Sequence, residues 1–260
     1  MTKILFMGRK RLSANLLRLL SSQNGIEIVG VLTDSHLQGS PTAAAAKELG
    51  LPLYTFDTAL EAMKEGRLKY DLGLSVLYWR KLRDEFLTVP RLGTINFHPA
   101  LLPEYKGTGG YNLAIMDELS EWGSTAHYVD ASIDTGEIIE VDRFHIDSSA
   151  ETAQSLERKT MQALEPFAQR IIARAVEAQA KLPTTPNIGG RYVSRDEMEA
   201  MKQIRDGDDV EKKIRAFWFP PYDGAYVEID GQKYTLINRQ LLEEVAPKDS
   251  TSLFAGKANA

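Results

Sequence analysis

Five short apolar runs, set apart by segments with helical periodicity, fill the first hundred residues, and this alternation limits the chain to few folds. The runs are Lys3 to Met7, Glu27 to Thr33, Leu53 to Phe56, Asp71 to Tyr78 and Gly93 to Phe97. Between the first two, Leu12 to Leu20 carries apolar residues at 12, 16, 17, 19 and 20, a helical stripe. Ser40-Pro41 opens a second helix through an alanine run that Gly50 closes, with a capping serine, a proline in the first turn and a terminal glycine. Strands that alternate with helices imply right-handed crossovers and a mainly parallel, twisted sheet of Rossmann-like α/β type.

The pattern changes after residue 110. Thr125 to Val129 and Ile138 to Ile146 read as two further strands around the turn-rich loop 130–136. Glu151 to about Ala180 reads as a long helix, with Pro166 expected to kink it. The segment 183–192 contains Pro-Thr-Thr-Pro-Asn-Ile-Gly-Gly and is the best linker between a domain over 1–182 and a small α+β module over 193–246. In that module Val210 to Phe217 suits a helix, and Asp230-Gly231 joins two strands in a hairpin. Small and polar residues from 247 to 260 suggest a disordered tail.

Several functions are made unattractive by composition. The chain has 260 residues, no cysteine and a net charge of −5. Disulfides, thiolate metal sites and cysteine nucleophiles are thereby excluded. A polyanion-gripping protein usually carries a basic face, so a large nucleic-acid partner is not expected. No eighteen-residue apolar stretch or secretory leader is read, so no membrane span is expected and a cytoplasmic location follows by default. His36, His127 and His145 lack metal-ligand spacing, and no metal is expected; His127 either lines a pocket or is structural.

Chemistry concentrates in two segments. Ile95-Asn96-Phe97-His98-Pro99 puts Asn96 and His98 on one strand face and Phe97 on the other, at the carboxyl end of a strand. An isolated Asn-x-His pair is more often structural than catalytic. Ile133-Asp134-Thr135-Gly136 puts an acid on a glycine-bearing loop, which alone is usually only a turn. Together an amide, an imidazole and a carboxylate make a plausible acid–base set. The first strand ends Gly8-Arg9-Lys10-Arg11 without the three glycines of a dinucleotide fingerprint; it is either a phosphate-binding turn or a solvated basic one.

Asn96-x-His98-Pro99-x-Leu101-Leu102-Pro103, with Lys106-Gly107 after it and Asp134-x-Gly136-x-Ile138 further on, resembles the 10-formyltetrahydrofolate-dependent formyltransferase family over residues 1 to 180. That resemblance implies the formyltransferase fold and catalysis by Asn96, His98 and Asp134. It implies a reduced-folate co-substrate held by Leu77, Tyr78, Trp79, Arg80 and Leu82, with Val129, Asp130 and Asp134 as the facing wall. Ile214-Arg215-Ala216 through Pro221, with Gly224-Ala225, is similar to a segment of the nucleotide-sugar N-formyltransferases. Their acceptor is the amine of a dTDP-, UDP- or GDP-linked amino sugar used in surface polysaccharide such as lipopolysaccharide O-antigen. Its expected contacts here are Gly8, Arg9, Lys10, Tyr105, Lys106, Gly107, Trp218 and Tyr222. Trp218 and Tyr222 offer aromatic faces to a base, or else belong to the module's own core. Glycinamide ribonucleotide and methionyl-tRNA are the alternative acceptors, and a folate- or nucleotide-binding protein without catalysis is the non-enzyme alternative. A homodimer through the C-terminal hairpin is implied by resemblance alone.

Overall fold

A computed structural model describes residues 1–33 and 39–245. The expected tail and His36 lie outside the described residues.

The sequence folds as β1 (Thr2–Gly8), α1 (Arg11–Ser21), β2 (Ile26–Leu32), α2 (Pro41–Glu48), β3 (Leu53–Tyr54), α3 (Phe56–Lys64), β4 (Leu72–Val76), α4 (Asp84–Thr88) and β5 (Thr94–His98). There follow β6 (Tyr105–Gly107), α5 (Gly110–Met116), β7 (Glu121–Tyr128), β8 (Ile138–His145) and α6 (Ala153–Ala178). The remainder comprises β9 (Arg191–Val193), α7 (Arg195–Met201), α8 (Val210–Phe217), β10 (Tyr226–Ile229), β11 (Gln232–Thr235) and α9 (Arg239–Val245).

Seven strands form one sheet in the order β3-β2-β1-β4-β5-β7-β8. The first five are parallel, and β7 and β8 join antiparallel. Strand β1 shows why the middle is a sandwich. Ile4 and Phe6 enter the core under α1 and α6, while Leu5 and Met7 enter the opposite core beneath α3. All four are fully buried, so β1 is apolar throughout rather than alternating. The α6 face is fixed by Leu164, Phe167, Ile171 and Ile172; Phe167 meets Phe97 edge to face at 6.3 Å between centroids. Each such side chain contributes roughly 1.5–3 kcal/mol by leaving water.

Several local expectations differ from the structure. Phe56 opens α3 instead of ending β3, because Thr55 caps the helix and exchanges hydrogen bonds with Thr58. Strand β4 stops at Val76, and Leu77 turns out of the sheet with φ +57°. Helix α6, by contrast, agrees with the long helix read over 151–180 and keeps Pro166 inside it. The pairing of β6 with β9 has no counterpart in the periodicity.

The C-terminal elements pack on α5 through Ile115, Ile214, Ala216, Phe217, Ala225 and Leu241. Polar ties add direction. Asn112 donates to the carbonyl of Ala216 at 2.6 Å, and Arg215 donates to those of Ser148 and Glu151. Asp230 and Gly231 both have positive φ, as a tight two-residue hairpin requires. The segment expected to link the two parts is tied along its length. Thr185 bridges to Ile138, Lys106 donates to the carbonyl of Gly189, and Arg191 donates to that of Glu104.

Candidate active site

Strands β5 and β7 set the centre of the site by their register. Asn96 lies opposite His127 and His98 opposite Thr125. Opposed residues share a face, so Asn96, His98 and His127 stand on one side of the sheet. Phe97 points the other way, into the α6 core. The Asn96 amide nitrogen lies 3.0 Å from His127 Nε2. His127 Nδ1 lies 2.8 Å from the carbonyl of Tyr128, an acceptor only. The proton of a neutral His127 therefore sits on Nδ1, and Nε2 accepts from Asn96.

His98 is held by the turn after its strand. Its Nε2 lies 2.9 Å from the carbonyl of Tyr105 and so donates to it. Nδ1 faces Asp134 Oδ2 at 3.5 Å. Thr125 anchors that turn, accepting from the amide of Leu102 and donating to the carbonyl of Ala100.

Asp134 arrives from the β7–β8 loop. Its backbone is left-handed, with φ +56°, a conformation that is uncommon for a residue with a side chain. The carboxylate reaches three groups: Oδ2 accepts from the amide of Gly107 at 3.0 Å and faces His98, and Oδ1 lies 3.7 Å from His127 Nε2. Four residues from three chain segments thus meet within hydrogen-bonding or ion-pairing range.

Burial favours the neutral imidazole of His98 and holds its pKa below the ordinary 6.5, although the Asp134 carboxylate pulls upward. Burial pushes Asp134 upward, but the field of His98, the contact with His127 and the Gly107 amide together outweigh it and lower the carboxyl pKa. The two directions make unequal demands on the rings, since the His127 contact needs a proton on Nε2 that its Nδ1–H tautomer lacks and the field of His98 on Asp134 needs a charged ring. The neutral ring is the one that burial at 8% exposure supports, and the Gly107 amide holds the carboxylate without it. A proton reaching His98 then lands on Nδ1, beside a carboxylate.

A cleft opens next to this cluster. Ser75, Tyr78, Trp79, Arg80, Lys81 and Leu82 form one side, Val129, Asp130, Ser132, Ile133 and Asp134 the other, and Asn96 and His127 the end. The residues expected to hold the folate, Tyr78, Trp79, Arg80, Leu82, Val129, Asp130 and Asp134, all line it. Leu77 does not; it packs against the core beneath α1 and α6. Arg80 lies over the ring of Phe56 at 4.2 Å, which fixes its stem at the rim. His98 is not a wall residue and reaches the cleft only through Asp134 and His127.

The residues expected to contact a nucleotide sugar are not among those lining this cleft. Gly8 packs so closely on Ser13 that a Cβ would lie 2.6 Å from the serine Cβ. Lys10 pairs with Glu157. Lys106, expected to face a substrate, is 8% exposed with its ammonium on the carbonyl of Gly189, because a buried cation needs a fixed acceptor. Gly107 serves Asp134 through its amide, and Tyr105 serves His98 through its carbonyl while its hydroxyl donates to Asp117. Trp218 packs in the C-terminal cluster, and Tyr222 is 69% exposed beside Phe219. His127 was left open by the sequence; its signal is register, since a strand pairing with β5 puts it opposite Asn96. Among the described residues no group of three or more His, Asp or Glu is placed to hold a metal, and no helix is long and apolar enough to cross a membrane.

An amide, two imidazoles and a carboxylate thus meet at the carboxyl edge of a mostly parallel sheet of Rossmann-like type. The chain belongs to the formyl transferase family, whose model matches residues 2–172, and it is a formyl-transferring enzyme. A methionyl-tRNA formyltransferase of Listeria innocua is 27% identical over 250 residues, 91% of this chain and 78% of the relative. That of Lysinibacillus sphaericus is 33% identical over 172 residues, 62% of this chain and 55% of the relative. Among solved structures, a 4-N formyltransferase from Francisella tularensis superposes with a TM-score of 0.73 at 22% identity, over 90% of this chain and 96% of that one. An N-formyltransferase from Helicobacter canadensis in complex with folinic acid and dTDP-3-aminofucose gives 0.71 at 24%, over 90% and 86%. These superpositions establish a shared fold.

Proposed function

We propose that the enzyme transfers a formyl group from N10-formyltetrahydrofolate to the primary amine of a nucleotide-linked amino sugar. Asn96 and His127 at the end of one cleft, Asp134 on its wall and His98 behind Asp134 carry the transfer. That cleft suits a flat heteroaromatic donor, with Leu82, Val129 and Tyr78 as apolar surface and Asp130, Ser132 and backbone for its polar edge. Related proteins support the donor: the Helicobacter canadensis enzyme was solved with folinic acid. The donor supplies an activated formyl carbon bonded to nitrogen.

The chain's own groups then act on charge and protons. One Asn96 amide hydrogen is committed to His127; the second is available to the oxygen of the carbon under attack. Such a donor stabilises developing negative charge by on the order of 3–4 kcal/mol. His127, locked as the Nδ1–H tautomer, keeps that amide oriented. The attacking amine gives up a proton toward Asp134. Neutral His98 shares it through Nδ1, with the Tyr105 carbonyl fixing the ring. Release to the departing nitrogen reverses the same path.

For the acceptor, two readings have separate support. A solved sugar N-formyltransferase from a Shewanella species and a 4-N formyltransferase from Francisella tularensis are matched over 96% of their length and 91% and 90% of this chain, with TM-scores of 0.72 and 0.73. The net charge of −5 also disfavours a tRNA. Curated sequence relatives at 26–33% identity are methionyl-tRNA formyltransferases, which keeps that acceptor as the second reading. A base stacked on Tyr222 or Trp218, with diphosphate countercharge from Arg9 and Lys10, is the proposed nucleotide contact. The domain boundary near residues 183–192, the cytoplasmic location and a role in surface polysaccharide synthesis belong to the same proposal.

Purified protein with the formyl donor and a panel of dTDP-, UDP- and GDP-linked amino sugars, glycinamide ribonucleotide and initiator methionyl-tRNA tests this directly. Formylated sugar identified by mass spectrometry is the expected result. Formylation of tRNA alone, with salt-sensitive binding, would replace the acceptor.

A further inference from the structure

Asp134 has a left-handed backbone, and residues more than fifty positions away in the chain bond to the turn it makes. A left-handed φ at a residue bearing a side chain persists only where surrounding contacts over-determine it. Beside the loop's own bonds from Ser132 and Thr135 to Asp130, such contacts come from a distant strap, the chain from 184 to 193. Asn187 Nδ2 donates to the carbonyl of Asp134 at 3.0 Å and to that of Gly136 at 2.9 Å, using both amide hydrogens on the two sides of the turn. Both partners are carbonyls, so the amide orientation is forced. Its Oδ1 is buried without a hydrogen-bond partner, a cost that an apolar side chain of similar size would avoid.

The same strap grips the opposite side of the carboxylate. Strand β9 pairs with β6, and Gly107 at the end of β6 gives its amide to Asp134 Oδ2. One strap therefore fixes both the main chain of Asp134 and the donor that aims its side chain. Resting on the assignment of Asp134 to proton transfer above, we infer that Asn187 is a positioning residue that holds the Asp134 carboxylate against His98 and His127.

The test must separate hydrogen bonding from packing and must not depend on the acceptor. Asn187→Leu keeps the branched shape and removes both donors; Asn187→Gln keeps an amide. Histidine-ring NMR titration reads His98, assigned with a His98→Gln variant, in the full-length protein. The charged groups facing that ring are Asp134 and, when protonated, His127. Withdrawing the carboxylate removes its upward pull, so the His98 midpoint should move to lower pH in Asn187→Leu. With an acceptor established, kcat should fall roughly tenfold or more while the donor KM changes far less. Asn187→Gln should recover part of both. A folded Asn187→Leu protein with an unmoved His98 midpoint and normal kcat overturns the inference. If that variant does not fold, Asn187→Ser is read by the same criteria. Should no acceptor be formylated, the ring titration still decides the matter.

Discussion

Asn96 and His127, 31 residues apart, face each other across an antiparallel pair and join amide to imidazole at 3.0 Å. The Tyr128 carbonyl selects the tautomer of His127, and the bond to its Nε2 leaves one amide hydrogen of Asn96 toward the cleft. A transferase edge built this way positions a hydrogen-bond donor by sheet register, which is stiffer than loop placement.

Asn96→Ala should lower kcat by about 100- to 1,000-fold, since a preorganised donor to developing negative charge is lost. The side chain is only half-buried, so the fold should survive. Single-turnover formylation alongside circular dichroism checks it; near-normal rates would remove Asn96 from the chemistry.

Gly107→Ala should damage both stability and rate. A Cβ there would sit 2.4 Å from the carbonyl oxygen of Val193, at φ +84°. Strain of this kind costs about 1–3 kcal/mol, and relief would shift the amide that aims Asp134. A lower urea midpoint with a lower kcat is expected; an unchanged kcat would show that the amide is dispensable.

Stability should fall as pH drops below 6.5. The folded state holds His98 neutral to lower pH than the unfolded chain, so between 6.5 and the folded value the unfolded state binds more protons. Asp134 acts in the same direction at more acid pH. Its depressed folded pKa stabilises above the ordinary 3.8 and the effect is lost as pH falls through the folded value. Urea midpoints followed downward from neutral pH should decline, and His98→Gln should flatten the part below 6.5.

Tyr222→Ala should raise the KM for a nucleotide-linked acceptor by roughly tenfold, in keeping with the worth of one stacked base. The donor KM should not move, because Tyr222 is not among the residues lining the donor cleft. Equal acceptor KM values in the two proteins would return Tyr222 to a surface role.

Chain order and periodicity determined much here. The run of β1 is read directly because burial on both sheet faces demands unbroken apolar sequence, and β2, β4 and β5 follow from their alternation with helices. Alternation alone put Asn96 and His98 on one face, and the motif around them led to Asp134. Most of the cleft wall from Tyr78 to Leu82 was legible only through the family resemblance of that segment, not through periodicity. Leu77 was not, since one left-handed residue at the end of β4 turned its side chain into the core.

Only the tertiary structure decided which polar groups serve one another. His127 reaches Asn96 across 31 residues, Asn187 reaches Asp134 across 53, and Lys106 reaches Gly189 across 83. Hydrophobic period records which face of an element meets the core, and that much is written locally. Partners for buried donors and charges are chosen when distant loops close on one another, and no period in the chain encodes that choice.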